Sequence, residues 1–113
     1  MTRIQYDRER LRLTMEGHAG AGPKGGDPVC AALSMLMMTL EARMTERAER
    51  RLPVISRGQG RFEIQSSPEA EEEALCRESF DTVAAGFALL AENSPAYVTF
   101  RFMGEEMQEE EDG

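Results

Sequence analysis

His18 and Cys30, twelve positions apart, are the residues of this chain whose types and spacing could do chemistry. Between them lies a glycine-rich loop, Ala19 to Gly26, and then the pair Asp27-Pro28. Histidine ordinarily exchanges its proton near neutrality, which makes it the natural general base for a thiol. Asp27 reads as a helix N-cap, with Pro28 at the first helical position, where its missing N–H does no harm. Cys30 is then the third helical residue, where free backbone N–H groups and the helix dipole stabilise an anion. The thiolate is the reactive form of a cysteine, so the segment carries the parts of a cysteine nucleophile. Position alone also allows a plainer reading, with Cys30 an apolar neighbour of Val29 and Leu33 and His18 an ordinary surface residue. Asp27 could orient His18, although capping explains it fully. Ser34, four residues beyond Cys30, shares its helix face and could hydrogen-bond the thiolate, the base or a substrate amide.

Other uses of these residues fit poorly. Cys76 sits within an apolar helical seam and reads as a small buried hydrophobe. The run Gly20-x-Gly22-x-x-Gly25 has the spacing of a dinucleotide fingerprint, but Pro23 interrupts it and the flanking hairpins do not make a parallel βαβ unit. The loop also lacks the Gly-Lys-Ser/Thr ending of a P-loop. One histidine and two separated cysteines give no zinc-ligand spacing, so no metal or cofactor is expected. The loop reads as a mobile cover over a cleft.

The elements that must position the pair follow from hydrophobic spacing. Ile4 and Tyr6, then Leu11, Leu13 and Met15, alternate on either side of the polar cluster Asp7 to Arg10, which gives a hairpin. The first helix carries an apolar stripe at Val29, Leu33, Leu36, Leu40 and Met44 and fades between Thr45 and Arg51. Met35, Met37, Met38 and Met44 read as core filler, but they surround the helix widely enough to suggest a subunit interface. Leu52 to Ser56 and Arg61 to Gln65 form a second hairpin around Arg57-Gly58-Gln59-Gly60. Ser67-Pro68 opens a second helix with glutamates in its first turns. Its seam is Cys76, Phe80, Val83, Phe87 and Leu90, and Asn93-Ser94-Pro95 stops it. A last strand, Ala96 to Phe102, keeps Val98, Phe100 and Phe102 on one face. The order ββαββαβ predicts an α+β fold, a mostly antiparallel sheet packed against two helices.

With 113 residues, 41% hydrophobic, the chain fits one domain with a single core, residues 1–104, followed by an acidic tail, 105–113, expected to be disordered. A net charge of −8 argues against direct nucleic-acid binding and suits a basic partner. No apolar run is long enough to span a membrane and no signal-peptide core is visible. Free thiols in a reducing cytoplasm are therefore expected.

The block Gly17-His18-Ala19-Gly20, a glycine-containing loop, and Asp27-x-Val29-Cys30-Ala31-Ala32-x-Ser34 resembles the ribosomal-processing cysteine protease family called Prp. The length, element order, acidic composition and closing Tyr97-Val98 strand are compatible with that resemblance. It implies a cysteine endopeptidase of Gram-positive and related bacteria that removes an N-terminal extension from large-subunit ribosomal protein number 27. It further implies His18 as base, Cys30 as nucleophile, Asp27, Ser34 and Gly17 as supporting residues, and a homodimer. Two departures are visible, Pro28 in place of an aliphatic residue and a longer acidic tail. The expected mechanism places the oxyanion on backbone N–H groups at the helix start. The alternative is a non-catalytic ribosomal-protein-binding or assembly factor using the same cleft. A redox sensor fits less well, because no resolving cysteine lies near Cys30.

Overall fold

Each hairpin expected from alternation is present, and the two helices fill one layer above the sheet. The computed structural model describes residues 1–20, 22, 26–47 and 51–104. Its strands are β1 (Thr2–Asp7), β2 (Arg12–Gly17), β3 (Val54–Gly58), β4 (Arg61–Gln65) and β5 (Val98–Phe102), with helices α1 (Pro28–Arg47) and α2 (Glu73–Asn93). The strand order is β3-β4-β2-β1-β5. All pairs are antiparallel except β1 with β5, which run parallel from Thr2↔Val98 to Tyr6↔Phe102. The fold is thus α+β, as the element order requires.

The alternation works as a sorting rule. Ile4, Tyr6, Leu13, Ile64 and Val98 point to one face and are buried with the helix seams. The opposite face carries Arg3, Arg12, Thr14, Glu16, Arg61 and Glu63, so the sheet is covered on one side only. α2 buries Cys76, Phe80, Val83, Ala84 and Phe87, and Leu90 packs at the rim of the core.

The buried stripe of α1 differs from the expected one. Leu33, Met37, Leu40 and Met44 are the buried residues, while Val29 and Leu36 are only partly buried. Leu36 instead meets α2 at Gly86, where a Cβ would lie 2.8 Å from its Cδ2, so the glycine permits close helix approach. The methionines divide accordingly. Met37 and Met44 fill the core, and Met35 and Met38 are 63% and 54% exposed.

Two boundaries also shift. The second hairpin closes on Gln59-Gly60 alone, with Gly58 paired to Arg61 and Gly60 at φ +67°. Ser67-Pro68 does not open α2. Arg51 donates to the Ser67 carbonyl at 3.3 Å and pairs with Glu69 at 3.3 Å, and a 3₁₀ turn, Ala70–Glu72, intervenes before the helix. Only Glu73 remains in its first turn. The stretch from Thr45 to Arg51, where α1 is expected to fade, lies partly outside the described residues, and the acidic tail 105–113 lies wholly outside them.

One polar cluster ties α2 to β1. The buried Tyr6 hydroxyl donates to Asp81 at 2.7 Å, and Arg8 donates to both carboxylate oxygens of Asp81. Burial raises the Asp81 carboxyl, but the hydrogen bonds from Arg8 and Tyr6 outweigh it and hold it below the usual carboxylate range. Asp81→Ala strands the Tyr6 hydroxyl, at an expected cost of about 2 kcal/mol in urea unfolding. Because the folded value is depressed, the Asp81 contribution is present above about pH 4 and is lost as pH falls through the folded value. The gap between wild type and Asp81→Ala should therefore narrow in acid, and a gap independent of pH would contradict the assignment.

Candidate active site

His18 follows directly on the last residue of β2, and the turn that delivers it depends on Gly17. Gly17 has φ +97°, its N–H donates to the Gly60 carbonyl at 2.8 Å, and a Cβ there would collide with the Met1 carbonyl oxygen. The imidazole is exposed, and Ala19 beside it is buried. Its Nε2 lies 3.6 Å from where a Cβ of Gly60 would stand, so the β3–β4 turn forms a wall beside it. Sequence spacing recognises a turn within Arg57 to Gly60, but nothing local shows that this turn meets His18.

Cys30 stands in the first turn of α1, on a helix start built as the sequence indicates. One carboxylate oxygen of Asp27 accepts from the N–H groups of Val29 and Cys30, each at 3.0 Å, and the Asp27 carbonyl accepts from Ala31 at 3.1 Å. Asp27 is therefore an N-cap, and Pro28 has no N–H to satisfy. This changes one expectation. The first backbone donors of α1 are already engaged, so an oxyanion there would have to displace the cap or use donors from elsewhere.

The far end of α1 fixes where its start lies. The Ser66 hydroxyl, just past β4, lies 3.6 Å from the Met44 sulfur, and Gln65 pairs with Arg12 at the beginning of β2. The end of α1 thus sits opposite Gly17, and its first turn lies at the end of the sheet from which His18 emerges. Cys30 and His18 are both exposed there, and among the described residues no hydrogen bond joins them. Ser34 is half-buried one turn on. Its hydroxyl makes no hydrogen bond among the described residues, whereas Thr39 donates back to the Met35 carbonyl at 2.6 Å.

The two thiols differ as their positions require. Cys30 is free and exposed, and Cys76 is free and buried. Burial pushes the Cys76 thiol up, and the nearby Glu72 adds to the effect. Iodoacetamide near neutral pH should therefore label Cys30 first, with Cys76 reacting only at higher pH or on unfolding. Mass mapping that finds Cys76 labelled first would contradict this ordering.

A two-layer α+β domain with an exposed thiol in the first turn of a capped helix has the make-up of a small thiol enzyme. Residues 1–99 match the family described as cysteine protease Prp, and the chain belongs to that family and is a cysteine protease. Among solved structures, it is similar to the ribosomal processing protease Prp from S. aureus in complex with a covalently linked product peptide. That match is 21% identical with a TM-score of 0.75, over 90% of this chain and 97% of the other. The same S. aureus protease with a substrate peptide matches at 19% identity and a TM-score of 0.69, over 90% and 97% of the two chains. SMU.848 from Streptococcus mutans matches at 26% identity and a TM-score of 0.65, over 90% and 91%. No curated protein matches at a significant level. Among the described residues, no helix is long and apolar enough to cross a membrane.

Proposed function

We propose that this protease removes the N-terminal extension of large-subunit ribosomal protein number 27 during ribosome maturation, with Cys30 as nucleophile and His18 as general base. The observation that carries the reading is the exposed free thiol of Cys30 on a capped helix start, at the end of the sheet where the only histidine emerges. The S. aureus relative, a ribosomal processing protease bound to substrate and product peptides, supports the substrate class. Family membership favours an enzyme over a protein that only holds its partner.

In this mechanism His18 takes the Cys30 proton, and the thiolate sulfur bonds to the scissile carbonyl carbon. The carbon–nitrogen bond breaks, and the imidazolium gives its proton to the departing amine. Water, deprotonated by His18, then attacks the thioester, releasing the new carboxyl end and restoring the thiol. Asp27 holds the helix start, Gly17 sets the exit of β2, and Ser34 supplies a hydroxyl one turn from the sulfur. The catalytic unit is residues 1–104, working in the cytoplasm without a cofactor. A homodimer would use the exposed Met35 and Met38 of α1. The test is incubation of the extended ribosomal protein with the wild-type protein, followed by mass analysis of its N-terminus. A substrate left intact at high enzyme concentration would sink the reading.

A further inference from the structure

The outer edge of β5 carries no neighbouring strand among the described residues. Thr2 donates to the Tyr97 carbonyl at 2.8 Å, which sets the phase of the parallel ladder. Thr99 and Arg101 then face β1, and the N–H and C=O of Phe100 and the N–H of Phe102 face outward. Beside that edge, between β5 and α2, lies a cavity of about 340 Å³, at the lower end of the range for ligand sites. Phe100 and Phe102 wall it, with their rings 5.2 Å apart and edge-on. Ala85 and Ala88 leave it open on the helix side, and the Arg8–Asp81 pair closes its rim. An edge with outward-facing backbone groups next to an apolar hollow is the geometry of strand addition.

We infer that the β5 edge is a docking site for an extended segment of the substrate polypeptide, which adds as a sixth strand and places an apolar side chain in the cavity. A second copy of this chain fits less well. In a two-fold β5–β5 pairing, Phe100 and Phe102 already line their own cavity, so neither copy brings a side chain to fill the other. Charge favours a basic partner, since six of the nine residues that follow Gly104 are acidic and the chain carries a net charge of −8. Ribosomal proteins contact RNA phosphates and are basic for that reason. The identity of the occupant rests on the substrate reading above. β5 begins at the end of the sheet where His18 and Cys30 lie, so one polypeptide can occupy both places.

The test uses the full chain and the extended ribosomal protein. Ala85→Arg fills the hollow from an exposed helical position with a good helix former. It should raise KM for the whole substrate protein about tenfold, with kcat unchanged and with no effect on a short peptide spanning only the cleavage site. In Cys30→Ala protein, hydrogen exchange at the Phe100 and Phe102 amides should slow when the substrate protein is added, and Ala85→Arg should abolish that protection. Absence of protection overturns the docking site, whether or not wild type cleaves. Protection of the same amides in the protein alone assigns the edge to the chain's own acidic tail or to a second copy, and also overturns it. Protection without cleavage by wild type keeps the docking site and removes the protease–substrate assignment instead.

Discussion

Cys30→Ala protein is expected to lose at least about a thousandfold in cleavage of the extended ribosomal protein, since no second group replaces a covalent nucleophile. Its fold should be intact. Cys30 is exposed, and the bond that matters there, from its N–H to Asp27, belongs to the backbone. A stability change within about 0.5 kcal/mol is expected for such a surface substitution. His18→Ala should lose about 10²- to 10⁴-fold, the range of a general base. Cys76→Ala reverses the pattern. That thiol is buried in the α2 seam, so the variant should be less stable yet cleave at the wild-type rate. Retained activity in Cys30→Ala would remove Cys30 from the chemistry, whatever the other variants do.

Gly17→Ala should be among the most damaging single-methyl additions to the fold. At φ +97° a side chain is strained, and the new Cβ collides with the Met1 carbonyl, a backbone atom that cannot swing aside like a side-chain tip. Strain and overpacking together should cost about 3 kcal/mol in denaturant unfolding. Gly20→Ala is the matched control. Gly20 also has positive φ, +71°, but nothing lies within 4 Å of its Cβ position, so only about 1–2 kcal/mol of conformational cost applies. Gly17 also carries the N–H that bonds Gly60 and precedes His18, so partial unfolding there should reduce activity before the global transition. Equal losses in the two variants would show that the collision with Met1 is relieved cheaply.

The parts of this fold that depend on nearest neighbours in sequence are visible without a structure. Alternation at Ile4 and Tyr6, the seam from Cys76 to Phe87, and the cap at Asp27 each express one local periodicity or hydrogen bond. Strand order is different. That β1 lies between β2 and β5, and that β2 takes β4 on its other side, depends on long-range pairing that no spacing records. Ser67-Pro68 illustrates the same limit. It has the residue types of a helix start, but the Ser66 N–H donates to the Leu11 carbonyl at 2.9 Å and Arg51 holds Ser67 and Glu69. Tertiary bonds keep that stretch out of the helix. In the site, residue type and spacing pick out His18 and Cys30, while the Gly60 wall arises from contact between two hairpins and leaves no local trace.

The parallel pairing of β1 with β5 has a consequence for the order in which the protein can be assembled. β1 leaves the ribosome before the other described elements and β5 after them, yet they are neighbours from Thr2↔Val98 to Tyr6↔Phe102. The β1–β2 hairpin can form early, but one side of β1 stays unsatisfied until β5 has been synthesised. Closing so long a loop raises contact order and slows folding relative to a helical bundle of this size. Val98, almost fully buried, reaches the core only at that last step. Nascent chains that stop short of β5 should expose the unpaired edge of β1 and depend on chaperones, so the sheet is complete only once β5 has emerged.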